Sequence, residues 1–339
     1  MDQNKKRSRL WDHLKKFSPF IAGGLYGLWS IYGEKAQKRE VFYTISSLAK
    51  PKRPNLYSVL TYNVGNKDHY AQKYDFNLYK KDVFERIRQN IRKLSPDIIA
   101  IQEILAPHQC KNAGNVGKNE ICHKPPKHHI IKDLLGKEYQ IVCDNRTQYV
   151  CTAIKKSIGK ILDNQGKDFY LSNRIVPEVK GCDNKFVTLI GTIHLNNGAE
   201  FDLVNIHLPS LSAKCRAFVL RKLFFAENQL LRSDKLLIMG DLNMDIWRHP
   251  PKRIDIRTWH TICVRGYKDQ PFRYHSGLVE ASPPYTTSYL LKMPHTTDVI
   301  ISNFAQGICV VMGQSKNTFR LDGGEGTDHL ALFGFLNLK

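Results

Sequence analysis

The stretch KLLIMGDLN, residues 235–243, decides how the rest of the chain is read. Apolar Leu236 to Met239 run through Gly240 into Asp241 and Asn243. A short apolar run bounded by polar residues reads as a buried strand that delivers its polar side chains at its end. Five other runs repeat the pattern. SVLTYNV reaches Asn63, DIIAIQE ends at Glu103, FDLVNIH ends at His207, and GTDHLALFGFL opens with Asp328 and His329, while TTDVIISN sets Asp298 at the start of its run. Any one of these is ordinary turn chemistry. In this order they predict strands whose ends meet at one rim, where carboxylates and imidazoles hold a hard cation, orient water and protonate a leaving oxygen.

The surrounding pattern alternates strands with helices. Strands are expected near 57–62, 97–102, 139–143, 150–155, 186–194, 201–207, 235–240, 298–302, 308–312 and 330–336. Helices are expected at 78–94 and 212–232, the second with Val219, Leu223, Ala226 and Leu230 on its core face. This is an α/β or α+β layered pattern. No repeat, low-complexity tract or GxxxxGK[ST] phosphate loop is present.

Charge is the outlier in composition. The 339 residues include 51 Lys and Arg against 31 Asp and Glu, a net charge of +20 that favours anionic partners, nucleic acid or acidic lipid. A generally basic solvated surface is the plainer account. At 42% hydrophobic residues the chain is globular rather than disordered. Its eight cysteines show no CxxC pair or regular spacing, which disfavours a zinc ribbon. Cys110 and Cys122, which bracket a polar loop, are the first candidates for a disulfide, with ordinary thiols as the alternative.

Four segments are expected: a basic tail at 1–16, an apolar segment at 17–33, a linker at 34–55 and a catalytic domain at 56–339. The apolar FSPFIAGGLYGLWSIYG follows the basic KKRSRLWDHLKK, as in an export signal or membrane anchor. In a helix this segment would span only about 25 Å at 1.5 Å per residue, and Pro19, Gly23, Gly24 and Gly27 weaken it. An uncleaved anchor or interfacial segment is preferred, and a soluble helix packed on the protein is the alternative. The basic flank would keep the amino terminus in the cytoplasm and place the catalytic domain outside, membrane-anchored or secreted.

TYNV, PDIIAIQE, VNIHLPS, IMGDLNMD, TTDVIISN and GTDHLAL together resemble the successive motifs of the endonuclease/exonuclease/phosphatase superfamily, over residues 56 to 338. The resemblance implies a DNase I-like four-layer sandwich, two packed mixed β-sheets flanked by helices. It implies Glu103 as the principal Mg²⁺ ligand, Mn²⁺ substituting, with Asn63 and Asp328 completing or orienting the metal shell. Asp241 and Asn243 would position or deprotonate the attacking water. Asp298 would orient His329, and His207 would be the second imidazole across the scissile phosphate. A His at 207 resembles the deoxyribonuclease-like, toxin-like and sphingomyelinase-like branches. The signatures WxGDxNxR and PxWCDR of the inositol-polyphosphate phosphatases are absent. Thr296 and Thr297 depart from the Arg or Lys plus hydrophobic residue usual before the Asp at 298.

The implied activity is that of a Mg²⁺-dependent phosphodiesterase: an exported or membrane-tethered monomeric endonuclease acting on DNA, touching the membrane through residues 17–33. The insertion 107–130, rich in Lys and His, should overhang the cleft on the family fold, where Lys111, Lys118, Lys124 and Lys127 could grip phosphates; a mobile solvated loop is the preferred reading, and a separate zinc site from Cys110, Cys122, His123, His128 and His129 is disfavoured by its spacing. Two alternatives stand beside it. One is a sphingomyelinase-like phospholipid phosphodiesterase, with YLLKMPH at 289–295 as its nearest apolar hairpin. The other is a silent scaffold, which the intact set of chemical residues argues against.

Overall fold

The computed structural model describes residues 55–65, 80–104, 118, 121–123, 130–143, 150–162, 169–170, 182, 188–210, 212–225, 230–246, 252–268, 270–275, 287–289, 293–313, 320–322, 327 and 329–339. The tail, the apolar segment 17–33, nearly all of the linker, most of the 107–130 insertion and Asp328 lie outside them. Among the described residues no helix is long and apolar enough to cross a membrane.

Two sheets form because the strands alternate. In β1 (Leu56–Asn63), Val59 joins one apolar cluster while Leu60 and Tyr62 join another. In β2 (Ile98–Gln102), Ile98 and Ala100 face one way and Ile99 and Ile101 the other. Both faces are apolar, so each strand needs cover on both sides. On one side lie the helices α1 (Lys81–Leu94) and α2 (Ile130–Leu135), through Ile87, Ile91 and Leu134. On the other side lies the second sheet.

The first sheet continues with β3 (Tyr139–Cys143) and β4 (Val150–Lys155). Its carboxy-terminal strands are β14 (Gln306–Val311) and β15 (Leu332–Asn337), in the order β14-β15-β1-β2-β4-β3. The second contains β5 (Gly159–Leu162), β7 (Thr188–Leu195), β8 (Glu200–His207), β9 (Leu236–Asp241), β10 (Arg273–Tyr274) and β13 (Asp298–Ser302), in the order β10-β13-β9-β8-β7-β5. The two-residue β6 (Phe169–Tyr170) also pairs with β7. Each sheet mixes parallel and antiparallel pairs: β1 runs parallel to β2 and β8 parallel to β9. Leu203, Leu237, Met239 and Ile300 meet Val59, Ile98, Ala100 and Ile154 in a shared core between the sheets.

The outer face of the second sheet is covered by α3 (Ala213–Phe224) and α4 (Ile254–Arg265). Leu220, Leu223, Ile256, Trp259 and Ile262 pack on Val204, Ile206, Ile238 and Val299. Each such side chain contributes roughly 1.5–3 kcal/mol of burial. The layers are therefore helix, sheet, sheet, helix, and the expected sandwich is present.

Several elements differ from the sequence reading. The helix expected over 212–232 runs from Ala213 to Phe224, with Ser212 capping its start by accepting from the Cys215 amide. Leu230 and Leu231 still enter the same core from outside the helix. Helix α4 was not anticipated: its amino-terminal cap residue, Arg253, makes no side-chain cap bond, and β-branched residues dilute its helical signal. A short antiparallel hairpin, β11 (Thr287–Tyr289) with β12 (Met293–His295), stands off both sheets.

Candidate active site

The strand ends meet through register and parity. Side chains in a strand alternate between faces, so Asn63 shares the inward face of Val59, His207 that of Leu203, Asp241 that of Leu237 and Met239, and Asp298 that of Ile300. Across the second sheet, His207 lies beside Asp241, and Asp298 lies beside Asp241 from the other neighbour. Three inward functional side chains therefore stand in one row at the end of the layer between the sheets. Asn63 faces that row from β1, beside Gln102 in the parallel pair.

Asp241 is the hub. Asn63 Nδ2 donates to Asp241 Oδ2 at 3.1 Å and to Glu103 Oε1 at 3.3 Å. His207 Nε2 and His329 Nε2 each lie 3.8 Å from that same Asp241 oxygen, so the two imidazoles flank it. His207 Nε2 is also 3.3 Å from Glu103 Oε1. His329 Nδ1 meets Asp298 Oδ2 at 2.8 Å. An ionised carboxylate only accepts, so that bond places a proton on Nδ1 and leaves Nε2 turned toward Asp241.

Local backbone conformation puts each group there. Glu103 follows the last residue of β2 with φ of 56°, a left-handed turn that swings its carboxylate back over the end of β1. Gly65 makes room for it: a Cβ there would meet Glu103 Oε2 at 1.8 Å. The Gly65 amide donates to Asn63 Oδ1 at 2.9 Å. Because that amide can only donate, it fixes which end of the Asn63 side chain faces the carboxylates.

Asn243, with φ of 49°, gives its backbone N–H to Asp241 Oδ1 at 2.7 Å and its side-chain Nδ2 to the Leu208 carbonyl at 2.8 Å. It thereby braces the ends of β8 and β9. Thr297 supports Asp298, donating to its Oδ2 at 3.1 Å, and the Thr296 amide donates to Asp245 at 3.3 Å. The two threonines that depart from the family pattern are thus buried parts of the site. Thr327 positions the His329 backbone, lying 2.7 Å from Tyr62 Oη and 3.0 Å from both Asp322 Oδ2 and the His329 carbonyl.

Sequence reasoning missed Gly65, Tyr62 and Thr327. It also missed a buried amide pair beneath the site: Gln102 Nε2 donates to Asn205 Oδ1 at 2.7 Å, and Asn205 Nδ2 to the Cys151 carbonyl at 2.9 Å. This pair pins one sheet to the other directly below the rim. The available signal was polar residues at inward positions of otherwise apolar strands.

Electrostatically the site is short of positive charge. Glu103, Asp241 and Asp298 are all buried around two imidazoles. Burial pushes the Asp241 carboxyl above its ordinary value, the Asp298 charge adds to that, and His329 and His207 oppose it. Asp241, Asp298 and His329 bring ligand-type atoms within 4.8 Å of one another. Asp298 spends Oδ2 on His329 Nδ1, Asp241 accepts from Asn243 and Asn63, and Glu103 Oε1 accepts from Asn63. Buried carboxylates in excess, with a glycine opened for one of them, fit a divalent ion held by oxygen ligands.

The chain belongs to the endonuclease/exonuclease/phosphatase family, whose model matches residues 60–303. It is accordingly a hydrolase of phosphoester bonds, and the family is generally dependent on divalent metal. No curated protein matches the chain. Among solved structures it resembles an endonuclease/exonuclease/phosphatase from Bacteroides vulgatus, 15% identical with a TM-score of 0.57, covering 84% of this chain and 99% of that one. It resembles equally TDP2 from D. rerio in complex with a single-strand DNA product, 15% identical with a TM-score of 0.52, covering 83% and 99%. A mannosyl-6-phosphatase from Bacteroides thetaiotaomicron is 14% identical with a TM-score of 0.52, again covering 83% and 99%. At these identities the likeness is one of fold.

Proposed function

We propose that this protein is an exported or membrane-tethered, divalent-metal-dependent phosphodiesterase that hydrolyses DNA endonucleolytically. The observation that carries the reading is the row His207, Asp241, Asp298 with His329 and Glu103 at its ends. It sets two imidazoles on either side of one carboxylate. Hydrolysis requires a water to lose a proton as it attacks phosphorus, and the departing oxygen to gain one as its P–O bond breaks. Asp241, held by Asn243, serves the water, and His329, held by Asp298, serves the oxygen across from it. His207 contributes hydrogen-bond donation to the phosphoryl oxygens. Glu103, with Asn63 and Asp328, would hold Mg²⁺ or Mn²⁺, which supplies positive charge to the phosphate.

Export is supported by the cysteines. Cys143 is bonded to Cys151 across β3 and β4, Cys182 to Cys215 at the start of α3, and Cys122 is also disulfide-bonded. Disulfides persist in oxidising compartments and are rare in reducing ones. The apolar segment 17–33 supplies a tether, and the charge of +20 supplies attraction to a polyanion.

The phospholipid reading has one observation of its own, the β11–β12 hairpin, which spans Thr287 to His295, includes YLLKMPH and pairs with neither sheet. The full chain is therefore assayed with Mg²⁺ on supercoiled plasmid and on sphingomyelin vesicles, beside His329→Ala. Plasmid nicking that disappears in the variant and with EDTA is the expected result. Sphingomyelin turnover without nicking would transfer the protein to the lipid branch.

A further inference from the structure

A cleft of about 240 Å³ opens on the outer helical layer, lined by Arg221 and Phe225 from the end of α3 and by Arg257, Thr258, Thr261 and Arg265 from α4. It is separate from the rim: it sits on the outer helical layer and shares no lining residue with the site. The spacing is regular. Arg257, Thr261 and Arg265 recur every four residues on one face of α4, and Arg221 and Phe225 do the same on α3.

Three features distinguish the cleft from ordinary solvated surface. Its three arginines are exposed, and none makes an ion pair or hydrogen bond through its guanidinium among the described residues. By contrast Arg216 on α3 and Arg253, the cap residue of α4, are both spent on Asp255. Phe225 keeps 45% of its surface exposed at the mouth. Thr258 and Thr261 commit their hydroxyl protons to helix carbonyls at Ile254 and Arg257, so the floor adds no competing donor.

We propose that this cleft is a second binding site for the phosphodiester backbone of a single nucleic-acid strand, remote from the catalytic rim. Guanidinium forks match phosphate oxygens in geometry as well as charge. Arg257 to Arg265 extend about 12 Å along α4 at 1.5 Å per residue, enough to meet more than one phosphate of a strand. Phe225 beside them offers a stacking platform for a base, the combination by which single strands are held without sequence preference. The aromatic ring beside the arginines favours a strand, whose bases stack, over a lipid headgroup, which offers no base. The identity of the ligand rests on the nucleic-acid reading above; the cleft itself does not.

The test measures equilibrium binding of a fluorescent single-stranded oligonucleotide to the full chain in EDTA across a salt series. The triple variant Arg221→Gln, Arg257→Gln, Arg265→Gln is compared with Lys137→Gln, Lys156→Gln, Lys160→Gln, which removes the same charge from exposed positions elsewhere. The arginine variant should bind at least tenfold more weakly at low salt. Its slope of log K against log salt should fall by about 2, at ~0.7 for each phosphate that is no longer neutralised. Phe225→Ala should weaken binding by about tenfold with the slope unchanged. Equal behaviour of the arginine and lysine variants overturns the proposal, as does loss of binding to phosphatidylserine vesicles with oligonucleotide binding intact. Hydrolysis of a small chromogenic phosphodiester should be the same in the arginine variant and the wild type. If the wild type turns over neither that diester nor plasmid, the phosphodiesterase reading fails while the oligonucleotide arm still judges the cleft.

Discussion

Two buried clusters of charge in this protein look alike in composition and differ in what they are for. Between the outer helices, Asp255 accepts from Arg216 at 2.8 Å and from Arg253 at 2.6 Å, with its other oxygen bonded to Arg253 and the Ile256 amide. At the rim, Asp241 lies among Glu103, Asp298, His207 and His329. Burial raises the pKa of both carboxyls. At Asp255 the hydrogen bonds and charges of two arginines overcome burial and hold it down to about 2. At Asp241 the opposing imidazoles do not, and the carboxyl stays raised. Burial also lowers Arg216, opposite in sense to the gain at Asp255, yet arginine remains charged throughout the pH range in which proteins fold. The helix cluster is complete and structural. The rim is incomplete in charge, and that deficit marks it as the place for a cation and a phosphate.

Removing the charge at each centre should therefore give opposite results. Asp241→Asn should abolish most turnover, about 10²- to 10⁴-fold, while the melting temperature in EDTA holds or rises. Asp255→Asn should leave turnover of the folded protein near wild type and cost about 3–5 kcal/mol in denaturant unfolding, since it leaves arginine charge buried without its partner. A large loss of stability in the first variant, or of turnover in the second, would erase the distinction between the clusters.

Gly65→Ala sharpens the comparison at the rim alone. The added methyl would occupy the place of Glu103 Oε2 and force that carboxylate away. Turnover should fall about 100-fold, as expected for a displacement of about 1 Å, and half-maximal activity should need more Mg²⁺. Unchanged metal dependence would remove Glu103 from the metal assignment.

The pH dependence separates the clusters again, more weakly. Asp255 sits below its ordinary pKa in the fold, so its contribution is full above about pH 3.8 and is lost as pH falls toward about 2. Acid unfolding of wild type and Asp255→Asn should converge in that window.

His275 is the neutral counterpart. It is buried against Ser302 Oγ at 2.7 Å and the Gly307 carbonyl at 3.3 Å. Burial lowers its pKa from 6.5, the nearby Arg273 charge adds to this, and the Gly307 bond opposes it. The folded state therefore prefers the neutral ring. Its contribution is present above pH 6.5 and declines as pH falls through the lowered value. A small drop in unfolding free energy between pH 7.5 and 5.5, absent in His275→Gln, is the expected outcome.

How far the site was legible follows from where its signals lie. His207, Asp241 and Asp298 end or begin apolar runs, and register then aligns them, because one inward residue per strand end is visible as a local pattern. Gly65 was not legible as a site residue. Its role depends on Glu103, 38 positions later, turning back through a left-handed conformation. Helix α4 was missed because Ile256, Trp259 and Ile262 declare a helix face only once the second sheet is there to bury them. The helix predicted to reach residue 232 ends at Phe224, although Leu230 and Leu231 reach the same core, so an apolar period outran the helix it belonged to.

What the sequence determined by itself was the family, the alternating layers and the residue types that carry the chemistry, since strand periodicity and ordered motifs are local properties of the chain. The tertiary structure decided which of those residues share an oxygen, which glycine makes room for Glu103, and which arginines are spent on Asp255 and which remain open in the cleft. These depend on register across sheets and on packing between elements far apart in the chain, where a difference of one residue in pairing would turn every side chain to the other face.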